Sequence, residues 1–281
     1  MNGKRRKKTA CFLGFLLLTA CFLGCGASGQ LKEEVEPEED SAGEETEKGT
    51  GQAAEPETEA GMNAGDITEE SGIFGESAAD GHVDFGLLQE KNPDIFAWLY
   101  IPGTGIDLPV LQSHLSDDYY ITHNVLEEED GIGALYTEMP NLMDMCDFNT
   151  IIHGNDLEEG APFKELHLFE DADFFEEYEE FYLYLPDNVL TYEIFVAYYD
   201  EGSDILRRHD YTTYAGCQEH LNEIYGVRSM NRNFREGWEG LTPYHFLVTL
   251  DGAVRENGTQ YIVIGALKED AAGKIDRMLY E

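Results

Sequence analysis

The chain has 281 residues, of which 42% are hydrophobic and 12% aromatic, and 57 acidic against 18 basic side chains give it a formal net charge of -39. This composition allows one domain of ordinary size with a proper core. The charge excludes a nucleic-acid-binding surface and disfavours contact with anionic lipid headgroups, because both partners are negatively charged. We predict no cofactor and no metal site, since no EF-hand, phosphate-binding loop or zinc-ligand spacing is present.

Residues 1–25 have the pattern of an export signal. A basic stretch, Lys4 to Lys8, precedes an apolar run from Thr9 to Gly24. Leu18-Thr19-Ala20-Cys21 matches a bacterial lipobox, in which Cys21 is lipidated, and Cys25 is a poorer alternative. As an uncleaved signal anchor, the same run is about long enough for a bilayer, which takes roughly 20 residues. Both interpretations tether the chain to the extracytoplasmic face of a bacterial cell membrane.

Residues 26–81 are rich in Glu, Gly, Ala, Thr and Ser and contain few large apolar side chains. Such a segment cannot bury enough surface to offset its ordering entropy. We therefore predict a disordered acidic linker over 26–81, extended by its own charge, and one folded domain over 82–281.

The folded part begins with a helical pattern and continues with strands. Apolar residues from Val83 to Trp98 recur at helical spacing, and Asn92-Pro93 divides them into two short helices. Later apolar runs between Gly, Asp and Asn are typical of a β-barrel or sandwich. These runs are Leu108–Leu111, Thr150–Ile152, Phe181–Leu185, Leu190–Tyr198, Phe246–Leu250 and Tyr261–Ala266. Two further helices are predicted, over Phe163–Tyr178 and Tyr214–Tyr225.

Two cysteines, Cys146 and Cys217, lie in the predicted domain. In an exported protein they can form a disulfide, but the sequence does not give their separation. Two free thiols are the alternative.

Seven segments between residues 92 and 268 resemble class B sortases, in the order that the family has them. They are Asn92–Gln112, Asp118–Tyr120 with His123-Asn124, Gly133–Tyr136, Asn149–Asn155, Phe174-Phe175, Tyr182–Tyr184 and Tyr192–Phe195, and the strand from Tyr244 to Leu250 that leads to Ala253 follows them. The resemblance implies a mostly β, sortase-like closed barrel with N-terminal helices and an extra helix near 214–225.

The family's chemistry uses a cysteine that attacks a sorting-signal peptide, a histidine that moves protons and an arginine that stabilises the oxyanion. The resemblance assigns the cysteine position to Ala253, at the end of Thr249-Leu250-Asp251-Gly252-Ala253. It assigns the histidine position to Asn155 and the arginine position to Gln260. The chain therefore resembles a catalytically degenerate member, a pseudoenzyme.

Three residues near these positions are candidate groove residues, namely His153, Asp251 and Arg255. His153 precedes Asn155 by two residues, so on a strand both side chains point to one face. Without a thiol to deprotonate, ordinary hydrogen bonds are the favoured role for His153. Arg255 follows on a turn, where a solvated side chain is expected.

We consider three functional hypotheses. The first is a tethered sortase-fold protein that binds a sorting-signal-like peptide or a surface protein without turnover. The second is an active transpeptidase or peptidase with a relocated site that uses Cys146 or Cys217. The third is a purely structural surface protein. The lack of all three catalytic side chains favours the first, because function depends on the site and not on the fold.

Overall fold

The computed structural model describes residues 76–202, 204–228 and 231–280. The predicted signal with Cys21 and Cys25, and most of the predicted linker, lie outside the described residues. No helix in the part that is described has both the length and the apolar character needed to cross a membrane. Packed contacts begin at Ala78, ahead of the predicted boundary at residue 82. Its side chain is 1% exposed and its N–H donates to Asp107.

Nine strands and four α-helices make up the described domain, together with three short 3-10 helices. The strands are β1 (Ile95–Tyr100), β2 (Asp107–Leu111), β3 (Leu135–Tyr136), β4 (Asn149–His153), β5 (Glu180–Leu185), β6 (Asn188–Asp200), β7 (Asn233–Phe234), β8 (Leu247–Asp251) and β9 (Gln260–Asp270). The α-helices are α1 (Phe85–Lys91), α2 (Ala172–Glu177), α3 (Ile205–Arg208) and α4 (Tyr214–Gly226). The 3-10 helices are Ala78–Asp80, Tyr119–Ile121 and Lys164–Glu170.

Eight of the strands close into a barrel. The sheet order is β5-β1-β2-β3-β4-β8-β9-β6-β7, and a further pairing between β5 and β6 joins the ends of the eight-stranded ring. β7 pairs with β6 outside the ring. Closure satisfies the strand edges that an open sheet would leave unpaired. The prediction of a mostly β, closed barrel with a few helices is confirmed.

The barrel interior is filled by alternate side chains of its strands, among them Ile152, Leu250 and Val263, each fully buried. The opposite face of β4, β8 and β9 is covered by α4, as predicted for residues 214–225. Thr213 caps this helix by accepting from the Gly216 N–H, and Cys217, Leu221 and Ile224 form its buried face.

The predicted second N-terminal helix is wrong, because Ile95–Tyr100 is strand β1. The first helix, α1, forms as predicted and ends at Lys91. Asn92, which precedes Pro93, is extended, because a proline disfavours the helical conformation of the residue before it. β1 is buried on both faces, so its apolar residues run without the alternation that marks a half-exposed strand. That continuous run mimicked helical spacing.

The predicted helix over 163–178 is two helices. A 3-10 helix, Lys164–Glu170, is followed by α2, and Asp171 separates them. Asp171 is extended and its carboxylate accepts from the N–H groups of Asp173 and Phe174. It therefore acts as an N-cap, which starts a new helix.

A turn that contains two glycines precedes β3 and packs against the backbone at Tyr120. Gly131 and Gly133 both have left-handed backbone angles, with φ of 74° and 82°. A Cβ on Gly133 would lie 2.4 Å from the carbonyl oxygen of Tyr120, whereas a Cβ on Gly131 would meet nothing within 4 Å. The two positions share the backbone conformation and differ in the space around it.

We expect Gly133→Ala to destabilise the protein clearly more than Gly131→Ala. Both substitutions carry the left-handed penalty of about 1–2 kcal/mol. Only Gly133→Ala adds the crowding of backbone atoms, about 1–3 kcal/mol more. Urea unfolding of both variants measures the difference, with Gly131→Ala as the control. Equal losses would contradict the close packing of this turn.

Candidate active site

The barrel brings the three positions assigned to catalysis to one end of the sheet. β4 and β8 are parallel with His153 opposite Asp251, and β8 and β9 are antiparallel with Asp251 opposite Ile262. Two residues beyond these pairs lie Asn155 and Ala253, and Gln260 begins β9 two residues before Ile262. The pairing of β4, β8 and β9 therefore brings residues 155, 253 and 260 to the same end of the sheet.

The side chains at these positions supply neither the thiol, the imidazole nor the guanidinium that a cysteine transpeptidase uses. Ala253 offers a methyl group. Asn155 uses Oδ1 to accept from the Leu157 N–H at 2.9 Å, which closes a local turn. Gln260 is 2% exposed, and its buried Nε2 has no hydrogen-bond partner among the described residues.

A buried carboxylate lies directly beside the cysteine position. Asp156 has a fully buried side chain, and its Oδ1 accepts from the Ala253 N–H at 2.9 Å. Its Oδ2 accepts from Arg255 Nη2 at 3.0 Å and lies 2.9 Å from His167 Nε2. Hydrogen bonds from charged donors are among the stronger ones in proteins. The chain at residue 253 is therefore held by a carboxylate.

Asp156 also explains why residue 252 is glycine. A Cβ on Gly252 would lie 2.6 Å from Asp156 Oδ2 and 3.0 Å from the Tyr261 carbonyl oxygen. Real side chains essentially never approach a neighbour at 2.6 Å, so a larger residue at 252 requires the carboxylate to move.

We call Asp156, His167, Glu170 and Arg255 the Asp156 cluster. His167 Nδ1 lies 2.7 Å from Glu170 Oε1, and Tyr199 donates to the same oxygen at 2.8 Å. The hydrogen bond with Asp156, followed by that with Glu170, raises the pKa of His167. Burial raises the pKa of Tyr199 to about 12. The cluster contains two carboxylates and two basic groups, so its charges balance when His167 is protonated.

Arg255 is not the solvated turn residue that the sequence suggested. Its side chain is 26% exposed, pairs with Asp156 and lies over the Tyr199 ring at 5.2 Å. Asp156, His167 and Glu170 were not anticipated at all. The one available signal was the acidic residue directly after Asn155.

A second pair lies one step deeper along the same strands. His153 Nδ1 is 2.9 Å from Asp251 Oδ2, and its Nε2 is 3.7 Å from Glu138 Oε1. The His153 ring stacks on Tyr136 with 5.1 Å between centroids. Burial raises the pKa of Asp251, and the hydrogen bond from His153 opposes that shift. His153 thus makes the ordinary hydrogen bond that the sequence analysis favoured.

A basic side chain from α3 extends this pair toward solvent. Arg207 is 48% exposed and contacts Glu138 at 2.6 Å and Asp117 at 3.3 Å. The row Arg207, Glu138, His153 and Asp251 therefore leads from the surface to the end of β8.

The two cysteines of the described residues are free, so the disulfide alternative is wrong. Cys217 is fully buried on α4, donates to the Tyr211 carbonyl at 3.2 Å, and has its pKa raised by burial to about 11. Cys146 precedes β4, whereas Asn155 follows it, so roughly 13 Å of strand separates them. Burial raises the pKa of Cys146 as well. Neither thiol makes a contact with the Asp156 cluster.

Comparison with known proteins finds no family model that matches the chain. The chain is 39% identical to Sortase B of Listeria monocytogenes over 87 residues. This match covers 31% of this chain and 35% of the relative. It is 24% identical to Sortase B of Staphylococcus aureus over 139 residues. This match covers 50% of this chain and 57% of the relative. The matches thus span about a third and somewhat over half of these curated relatives.

Solved structures with a similar fold carry the same family name. A Streptococcus pyogenes class B sortase involved in pilus biogenesis is 26% identical, with a TM-score of 0.57 over 66% of this chain and 98% of that one. A Staphylococcus aureus sortase B–substrate complex is 21% identical, with a TM-score of 0.56 over 66% of this chain and 84% of that one. At 21% identity the second likeness concerns the fold alone.

We expect His167 to stabilise the folded protein most at low pH. A folded-state pKa that is raised gives a stabilisation that is fully present below the unfolded value of about 6.5. The stabilisation is lost as the pH rises through the folded-state pKa. The free energy of unfolding of the wild type minus that of His167→Gln should therefore decrease above about pH 6.5. Urea unfolding across that range measures it, and the exposed His82→Gln serves as the control. A difference that grows with pH would contradict the pairing with Asp156.

Proposed function

We propose that this chain, which is similar to class B sortases in sequence and fold, is a binding protein that holds a peptide or protein partner at the end of β4 and β8 without covalent turnover. The partner has the chemistry of a sorting-signal peptide, an extended segment of chain. The observation that carries the proposal is Ala253, whose N–H is bound to the Asp156 carboxylate at the place of the nucleophile.

The absence of turnover follows from what acyl transfer requires. A covalent intermediate needs a nucleophile activated by a base, and Ala253 and Asn155 supply neither. The remaining acceleration in hydrolases without their catalytic unit is roughly 10³–10⁴ over water. Such a rate does not support the linking of proteins at a cell surface.

The Asp156 carboxylate adds a second obstacle. A thiolate beside a buried negative charge is disfavoured, because reactive cysteines occur in electropositive surroundings. Arg255 and His167 offset that charge, but both already contact Asp156. The site is therefore organised around a carboxylate in place of a thiolate.

A relocated active site has little support in the described domain. Cys217 is buried under α4 with a raised pKa, and Cys146 lies at the other end of β4. In the described residues, the hydrogen bonds of both thiols go to backbone carbonyl groups and not to a histidine. The chemistry of the second hypothesis needs such a base.

Unpaired polar atoms favour a binding role over a purely structural one. Asp251 Oδ1, His153 Nε2 and Gln260 Nε2 are buried and lack hydrogen-bond partners among the described residues. Each such group costs about 1–3 kcal/mol. A peptide backbone that displaced the side chains covering these atoms would supply donors and acceptors and offset part of this cost. Arg207 provides a further donor at the outer edge of the same row.

The location of the protein rests on sequence alone. We propose that residues 1–25 tether it to the extracytoplasmic face of a bacterial membrane, by lipidation of Cys21 or as an uncleaved anchor. The acidic segment 26–81 then acts as a spacer. Metabolic labelling with an alkyne fatty acid, in the wild type and in Cys21→Ser, tests lipidation, with Cys25→Ser as the control.

We expect the wild type to bind the substrate peptide of Staphylococcus aureus sortase B, fluorescently labelled, without cleaving it. Arg207→Ala should weaken binding about fivefold, which corresponds to the loss of one hydrogen bond worth about 1 kcal/mol. Fluorescence anisotropy measures binding, and mass spectrometry of the peptide measures cleavage. Lys268→Ala is a matched control, since its side chain is 47% exposed and pairs with acids on β5 and β6.

Each outcome of this experiment is decisive. Cleaved or enzyme-linked peptide would overturn the absence of turnover. Equal binding of a scrambled peptide, or no binding, would favour the purely structural hypothesis. A loss in Lys268→Ala as large as that in Arg207→Ala would place the contact surface elsewhere.

Restoring the three side chains should not restore a reactive thiol while Asp156 remains. In Ala253→Cys combined with Asn155→His and Gln260→Arg, we expect slow labelling by iodoacetamide at position 253. Adding Asp156→Asn should accelerate labelling about tenfold, which corresponds to one pKa unit in thiolate formation. Peptide mapping by mass spectrometry locates the label, and thermal unfolding verifies that each variant is folded.

The control for this series adds Asp187→Asn in place of Asp156→Asn, because the Asp187 side chain is 83% exposed. Fast labelling of the first combination, before Asp156 is changed, would show that the carboxylate does not control this position.

A further inference from the structure

Three potential metal ligands meet on the outer face of the barrel, where the chain enters α4. They are His209, His220 and Glu223, and one ligand atom from each lies within 4.8 Å of the others. His220 and Glu223 are three residues apart on α4, so they share one face of the helix. His209 lies between α3 and α4.

The three side chains are already oriented by neighbours. His209 Nε2 lies 3.0 Å from Glu223 Oε2, and the same nitrogen is buried without a hydrogen bond of good geometry. His220 Nε2 accepts from Asn149 Nδ2 at 3.2 Å, and its Nδ1 lies 3.2 Å from the Tyr211 hydroxyl, so an ion at Nδ1 would replace the Tyr211 contact while Asn149 keeps the ring in place. Such outer partners fix the ring orientation of metal-binding histidines.

The charges around the group favour a cation. Glu219 lies 3.3 Å from His209 Nδ1, and Asp200 and Glu223 add two further carboxylates. Against them stands Arg208, which pairs with Asp200 at 2.6 Å and lies 3.6 Å from Glu223. Three carboxylates against one guanidinium leave a negative local charge, within a protein whose net charge is -39.

We infer that His209, His220 and Glu223 bind one divalent transition-metal ion, with zinc as the preferred ion. Two imidazoles and one carboxylate are a common set of protein ligands for zinc. Ligand atoms on one tetrahedral zinc ion lie roughly 3.4 Å apart, given metal–ligand distances of about 2.1 Å. Glu223 Oε2 and His209 Nε2 are already 3.0 Å apart, so the contraction needed is the approach of these two ligand atoms to His220. This inference does not depend on the proposed function.

A bound ion would also join the site to the barrel end described above. His209 follows directly on α3, and Arg207 of α3 contacts Glu138 beside His153. On α4, His220 contacts Asn149, which accepts from Thr249 of β8 at 2.9 Å. The ion would therefore hold α3 against α4, next to the row formed by Arg207, Glu138, His153 and Asp251.

The test uses the full chain, with Zn²⁺ in competition with a chromophoric chelator and Co²⁺ as a spectroscopic probe. We expect one site that holds Zn²⁺ against the chelator and a Co²⁺ spectrum typical of nitrogen and oxygen ligands. His209→Asn and Glu223→Gln should each weaken binding at least tenfold, the usual order for loss of a ligand or its close partner. The exposed His82→Asn and Glu177→Gln are matched controls.

Three results would overturn the inference. The first is a wild type without a stoichiometric site. The second is binding by His209→Asn and Glu223→Gln as tight as that of the wild type, which would assign the ion to other acidic residues. The third is a sulfur-to-cobalt charge-transfer band, which would assign the ion to a cysteine. The increase in melting temperature on adding Zn²⁺ gives a second readout, expected in the wild type and controls and lost in both ligand variants.

Discussion

The parallel pairing of β4 with β8 is the constraint on which the rest of the molecule depends. Its register sets His153 opposite Asp251, so the residues that follow both strands lie side by side. β9 joins on the other side of β8, and the closed ring holds all three ends in place. This backbone frame places the residues after β4 and β8 and the first residue of β9 close together, regardless of their side chains. The frame therefore does not depend on which side chains follow its strands.

The surroundings of Ala253 are dominated by a buried carboxylate. Asp156 lies beside Ala253 and has Arg255 and His167 as its partners. A buried carboxylate is tolerated only when it is paired and hydrogen-bonded. The four-residue cluster satisfies that condition, so the end of β8 is stabilised by the interactions of Asp156.

Most of the barrel could be predicted from the sequence, because alternating or short apolar runs report burial on a strand. Six such runs correspond to β2, β4, β5, β6, β8 and β9. β1 could not be distinguished from a helix, since burial on both faces removes the alternation. The positions Asn155, Ala253 and Gln260 followed from family resemblance. The Asp156 cluster did not, because His167 and Glu170 reach it only through tertiary contacts.

The contact between Gly252 and Asp156 couples the two positions. A Cβ at residue 252 would lie 2.6 Å from Asp156 Oδ2, so a larger residue there requires the carboxylate to move. That movement would also disturb the hydrogen bonds that Asp156 accepts from the Ala253 N–H and from Arg255. The backbone at residue 253 and the packing at residue 252 therefore depend on the same side chain, and neither can be altered alone.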